Sequence, residues 1–206
     1  MENMFRHKII LEGWKAVKPW VFAILVFVVL RFTGALSGIS YLTSSAIMRT
    51  GFMDATPAEP LVVKKFDYDF NLKDLEGNVV DVNQFKGKTI FLNIWATWCG
   101  PCRVEMPSIQ KLYEQVDNQS ILFIMLAVDR PQDLKKVKDF VADKEYTFPV
   151  YTPSGNLPVQ LQVGSIPSTF VISPDGKIVS KETGAANYDT PEFKAFLKKL
   201  VLPQVR

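Results

Sequence analysis

Residues 89–102 read Thr-Ile-Phe-Leu-Asn-Ile-Trp-Ala-Thr-Trp-Cys-Gly-Pro-Cys. The first seven (TIFLNIW, 89–95) form a near-continuous apolar run, the pattern of a strand buried on both faces. A helix is expected from Cys102 to about Asp117, because Met106, Ile109, Leu112, Tyr113 and Val116 recur at helical spacing, with Pro107 kinking it. Cys99 and Cys102 therefore stand where a buried strand turns into a helix. A helix N-terminus presents unpaired N–H groups and the positive end of the dipole, which favours a thiolate at Cys99. That thiolate is the attacking species in disulfide exchange. Pro101 suits the first helical turn, where a missing N–H costs nothing, and Gly100 keeps the approach to the first sulfur open. Cys102, one turn in, is expected to be shielded and placed to resolve a mixed disulfide on Cys99. Trp95 is read as core and Trp98 as the rim of the site.

Two blander readings of the pair compete. One is a couple of reduced core cysteines. The other is half of a zinc site, which fails because the 206 residues include only two cysteines and one histidine, His7, far from the pair and ahead of an apolar run. The same count excludes a disulfide-dense secreted scaffold. At 48% hydrophobic and 22% charged, the composition is that of a globular protein and excludes wholesale disorder, a collagen-like repeat and a multi-span membrane protein. No metal and no cofactor are expected.

The net charge of +3 lies entirely in the first 56 residues, which hold six Lys/Arg (Arg6, Lys8, Lys15, Lys18, Arg31, Arg49) against Glu2, Glu12 and Asp54. Residues 57–206 carry 18 basic and 18 acidic side chains and balance. Charge gathered beside an apolar segment sets membrane topology, and without a basic stripe interleaved with aromatics nucleic acid is not an expected partner. The apolar segment begins PWVFAILVFVVL (19–30). Twelve helical residues span only about 18 Å of a hydrocarbon core about 30 Å thick. A retained anchor must therefore run from about Trp20 into the low forties and accommodate Arg31, at a cost of about 2.5–3.5 kcal/mol unless the side chain snorkels or finds a partner. A cleaved signal sequence, with small residues at Ser44 and Ala46, is the second reading. A core helix is the third, and it suffers because nearly thirty residues lack a polar face while the domain that follows is complete without them. Residues 1–18 are thus read as a cytoplasmic stub, 19–48 as membrane anchor or signal segment, 49–61 as a Pro-bearing linker and 62–206 as the folded domain.

Within that domain, segments 66–72 and 79–82 flank Glu76-Gly77-Asn78 as a hairpin, and 121–128 (ILFIMLAV) is a second buried strand. Residues 133–144 read as a surface helix and 147–151 as a short strand. Segments 168–172 and 177–181 flank Pro174-Asp175-Gly176 as another hairpin, and 191–201 closes with a helix. Strands alternating with helices, followed by a hairpin and a helix, predict an α/β sandwich around a mixed sheet.

Trp98-Cys99-Gly100-Pro101-Cys102 resembles the thioredoxin active-site motif. The longer run from Trp95 to Pro107 (WATWCGPCRVEMP) looks like that of the TlpA/ResA group of membrane-anchored, thioredoxin-like proteins, and the similarity runs from about Phe66 to Leu200. The resemblance implies a thioredoxin-like fold with an N-terminal hairpin and a central helix–strand insertion, since Pro167 lies 68 positions after Cys99, more than the simple thioredoxin fold requires. It makes Pro167 the family's cis-proline facing the cysteines, with Ile166 shaping a peptide-binding lip beside Trp98, Gly100 and Pro101. Thioredoxins usually carry a buried aspartate where this chain has Asn93, which cannot accept a proton. The ResA-like glutamate matches Glu105, one turn beyond Cys102, where a desolvated carboxyl would have a raised pKa and exchange protons with Cys102. A solvated Glu105 paired with Arg103 or Lys111 is the alternative.

The expected activity is thiol–disulfide exchange at Cys99 and Cys102 on the extracytoplasmic face of the cytoplasmic membrane. Gly100-Pro101 is the dipeptide of reducing thioredoxins. About 150 mV separates thioredoxin from DsbA, worth about 7 kcal/mol, enough to decide direction. The resemblance further implies a DsbD/CcdA-like transmembrane electron donor and oxidised exported substrates such as apocytochrome c. A redoxin-type peroxide reductase is an alternative that Ala96 argues against, since peroxiredoxins carry threonine at that place. A non-catalytic assembly module is the other alternative.

Overall fold

The computed structural model describes residues 19–22, 24–25, 54–55, 65–117 and 119–201. The chain divides into two compact units, Met1–Thr43 and Ser44–Arg206. In the first, residues 19–22 and 24–25 are helical. The remainder of the expected anchor lies outside the described residues, and among the described residues no helix is long and apolar enough to cross a membrane.

The second unit runs β1 (Asn71–Asp74), β2 (Val79–Asp81), β3 (Thr89–Trp95), α1 (Gly100–Gln115), β4 (Ile121–Ala127), α2 (Leu134–Asp143), β5 (Val150–Pro153), β6 (Ser168–Ile172), β7 (Ile178–Thr183) and α3 (Pro191–Val201). The strands form one mixed sheet in the order β2-β1-β5-β4-β3-β6-β7. β3 lies inside it, parallel to β4 and antiparallel to β6, with all seven residues buried. That is the arrangement a near-continuous apolar strand demands. Alternate β3 side chains feed opposite cores: Phe91 and Trp95 pack with Met106, Ile109, Tyr188 and Phe193, whereas Ile90, Leu92 and Ile94 pack with Phe70, Leu72 and Phe170. This is a thioredoxin-like α/β fold. The carboxyl end of β3, a four-residue turn and the first residues of α1 bring the cysteines to one end of the sheet.

The helix–strand segment read from the sequence as an insertion takes part in the sheet. β5 pairs in parallel with β4 and antiparallel with β1, so the N-terminal hairpin reaches the rest of the sheet through the inserted strand. Some boundaries differ from the sequence reading for identifiable reasons. β5 begins at Val150, not 147, because the Thr147 N–H donates to the Gln110 side chain of α1 (3.0 Å) and so leaves the ladder. Residues 66–70 alternate as a strand would, burying Phe66, Tyr68 and Phe70 and exposing Asp67 and Asp69. They form no ladder, since the Phe66 N–H donates to Gly176 O and the Asp67 backbone is held by the Gln160 amide. α1 starts two residues earlier than expected and runs on through Pro107. Just beyond that proline, the Ser108 hydroxyl donates to Glu105 O at 2.7 Å.

Candidate active site

Cys99 is the N-cap of α1, with extended backbone (φ −83, ψ 106). Its sulfur takes the place a serine or aspartate oxygen normally fills, accepting the Cys102 N–H at 3.2 Å. A thiolate at Cys99 would meet the same N–H and the same dipole end, the physical basis of a depressed thiol pKa at such positions. Cys99 and Cys102 are joined as a disulfide, with Cα atoms 5.3 Å apart. The turn before them is fixed from the side: Thr97 donates through N and Oγ1 to the Asp129 carboxylate (3.0 and 2.5 Å), at the start of the insertion.

Cys102 is fully buried, as expected of a shielded second sulfur. Cys99 is less open than the sequence reading supposes, only 5% exposed in this disulfide form. The covering group is the Ile166 carbonyl, 3.7 Å from Cys99 Sγ, and the Ile166–Pro167 bond is cis. Access is along the rim. Trp98 is 70% exposed, and a Cβ placed on Gly100 would meet no atom within 4 Å, so the space above Gly100-Pro101 is open. Trp95 is wholly buried. The structure thus brings Trp98, Cys99, Gly100, Pro101, Cys102, Ile166 and Pro167 to one locus.

Glu105 lies on α1, with no exposed surface. One oxygen accepts from Asn93 Nδ2 (2.7 Å) and the other from the Ala186 N–H (3.2 Å). Burial raises its pKa to about 8, outweighing those two hydrogen bonds, which favour the ionised form. The two cations of α1 named as its alternative partners are engaged elsewhere. Arg103 stacks on Phe140, at 5.5 Å from the ring centre, and Lys111 faces Asp189 at 3.9 Å. The solvated, paired reading of Glu105 therefore does not describe this fold. A carboxyl poised near neutrality, one turn from Cys102, can take a proton from that thiol or return it.

The sequence reading misses the shell that orients Glu105. Asn93 Nδ2 also donates to Thr169 Oγ1 at 2.8 Å; the two residues face each other across β3 and β6. Tyr188 is buried beside them with its hydroxyl pKa pushed well up, by burial and then by the charges of Glu105 and Glu182. One clue is present in the chain: Asn93 and Thr169 are polar residues inside otherwise apolar strands, which the burial of both makes costly unless they are paired. The Thr97–Asp129 clasp leaves no comparable mark, since its partners lie 32 positions apart in ordinary loop sequence.

Residues 62–197 match the redoxin family. The thiol-disulfide oxidoreductase ResA of Bacillus cereus is 34% identical over 143 residues, 69% of this chain and 80% of that protein. The thioredoxin-like protein YneN of Bacillus subtilis is 32% identical over 116 residues, 56% of this chain and 68% of that one. The crystal structure of StoA from Bacillus subtilis superposes with a TM-score of 0.50 at 25% identity, covering 72% of this chain and 99% of that one. Sequence and fold agree, and the Cys99–Cys102 pair is present: this chain belongs to the redoxin family and is a thiol–disulfide oxidoreductase of the ResA type.

Proposed function

We propose that the chain is a membrane-anchored, extracytoplasmic reductase of disulfides in exported proteins. The observation that carries the chemistry is the pairing of a Cys99 sulfur capped by the Cys102 N–H with a fully buried Glu105 one turn further on, whose carboxyl titrates near neutrality. In the dithiol form, the Cys99 thiolate attacks one sulfur of a client disulfide. A mixed disulfide forms and the client's other sulfur leaves as a thiolate, which takes a proton from water. Glu105, in its ionised form, then accepts the Cys102 proton. The Cys102 thiolate attacks Cys99 Sγ, closing the disulfide and releasing the client's second sulfur, which is protonated in turn. Two electrons pass to the client and none are left over. Exposed Trp98, the open space over Gly100 and the Ile166 lip suit an extended, unfolded segment as client.

The N-terminal charge asymmetry and apolar run support an anchor with the domain on the extracytoplasmic side. A reductant there needs electrons carried across the membrane, hence a DsbD/CcdA-like donor, and apocytochrome c is the kind of exported client that needs reduced thiols. Direction is tested by equilibrating the protein with glutathione buffers. The expected potential is near that of thioredoxin, about −270 mV; one near that of DsbA, about −120 mV, would make the protein an oxidant.

A further inference from the structure

Residues 184–188 (Gly-Ala-Ala-Asn-Tyr) link the site to the region just before the domain. Alternate N–H groups of this segment all serve the active site. Gly184 N–H donates to Pro167 O (2.9 Å), Ala186 N–H to Glu105 Oε2 (3.2 Å) and Tyr188 N–H to Ser108 Oγ on α1 (3.1 Å). Between the Ala186 and Tyr188 N–H groups, Asn187 turns its carbonyl to the other side. There Asn187 O accepts the Ala55 N–H (3.0 Å), Asn187 Nδ2 donates to Asp54 Oδ1 (2.8 Å), and residues 54 and 187 form a parallel bridge. Ala55 is 3% exposed and belongs to the same apolar cluster as Cys99, Cys102 and Tyr188. One edge of a short segment thus holds the cis-proline, the buried glutamate and the active-site helix. The other edge holds two residues of the stretch that the sequence marks as linker.

We propose that Asp54, Ala55 and Asn187 are positioning residues for thiol–disulfide exchange: docking of residues 54–55 on segment 184–188 keeps Glu105 and Pro167 in register with the cysteines. Residues 54–55 are then a part of the active-site scaffold, and their release loosens the site. The effect on Glu105 rests on the proton-acceptor role proposed above; the effect on Pro167 does not. The titratable groups around Glu105 are Cys102 on its own helix, Tyr188 on the segment and, beyond Tyr188, Glu182 of β7. Arg103 and Lys111 are engaged elsewhere. Losing the Ala186 N–H removes a bond that favours the ionised carboxylate, so undocking moves the proton affinity of Glu105 upward.

The test uses the full chain carrying Asp54→Ala, Asp54→Asn or Ala55→Glu. Asp54 is exposed, so its variants keep the fold even if a charge at buried position 55 does not. In Asp54→Ala and Ala55→Glu, amide exchange at Gly184 and Ala186 is expected to accelerate on the order of 10-fold, as a local opening becomes easier. The pH midpoint of mixed-disulfide resolution is expected to move alkaline by about half a unit. Asp54→Asn keeps an acceptor for Asn187 and should match the wild type in both. Unchanged exchange at Gly184 in Asp54→Ala, or an Asp54→Asn as disturbed as Asp54→Ala, overturns the proposal. Failure of the Glu105 reading shows separately, as a Glu105→Gln chain with a wild-type pH profile, while exchange at Gly184 still reports on the linker.

Discussion

A Cys102→Ser chain is expected to stop after half a cycle. Cys99 keeps its place as the helix cap, and the residue 102 N–H that faces its sulfur belongs to the backbone and survives the substitution. Attack on a client disulfide therefore proceeds. Resolution does not, because the atom that must displace the client from Cys99 has gone. The mixed disulfide accumulates as a covalent adduct, visible on a non-reducing gel and cleared by dithiothreitol, and steady-state turnover falls by at least on the order of 10³-fold. A Cys99→Ser chain should lose turnover equally and trap nothing, since Cys102 has no exposed surface through which a client could reach it. Trapping through residue 102 in that second variant, or multiple turnover without Cys102, would reverse the assignment of the two sulfurs. Mass spectrometry of adducts isolated from cells would also identify the clients.

Much of this site is legible in sequence because its parts are local. A strand of seven apolar residues, a tight turn and a helix with proline in its first turn place Cys99 at the cap and Cys102 one turn in, with no long-range information needed. The place of Glu105 on α1 follows from helical spacing alone. Its burial does not: that depends on Asn93 from β3 and the Ala186 N–H from a segment 81 positions further along, which helical periodicity cannot see. The same limit explains the insertion. Its helix and strand are apparent from patterning, yet the pairing of β5 with β1 is a tertiary fact, and patterning starts β5 too early because a glutamine side chain in α1 outcompetes the ladder for Thr147. The sequence overstates the exposure of Cys99 for a related reason, since the covering carbonyl comes from Ile166, 67 residues away. Local hydrogen bonding and hydrophobic period are written in the chain; which distant polar atom closes over a site is decided by packing.

The buried Glu105 should also make this domain less stable as pH rises, opposite to the trend set by most carboxylates. Its pKa is about 8 in the folded chain against an ordinary value of 4.5. Between those limits the folded state retains a proton that the unfolded state has released, so the unfolded state binds fewer protons and stability falls with increasing pH. The loss accumulates from about pH 4.5 and is complete above about pH 8. A shift of this size corresponds to several kcal/mol, a large share of the roughly 5–15 kcal/mol that holds a domain together. Asp74, Asp117 and Asp175 have lowered pKa values and act in the opposite sense, but their window lies below 3.8, where Glu105 is protonated in both states. Partly buried Glu182, raised by burial, adds to the downward slope. Glu105→Gln removes the larger contribution. Urea unfolding of the oxidised protein at pH 5, 7 and 9 should show the wild type weakening steadily and the variant nearly level. The variant should be the more stable at pH 9, less about 1 kcal/mol where its amide turns a donor toward the Ala186 N–H. The same substitution should slow resolution of the mixed disulfide on the order of 10²-fold, because Cys102 loses its proton acceptor. A wild type that gains stability from pH 5 to pH 8, or a variant with an undiminished slope, would mean that Glu105 is ionised in the folded protein. With so low a proton affinity it would be too weak a base to take the Cys102 proton efficiently.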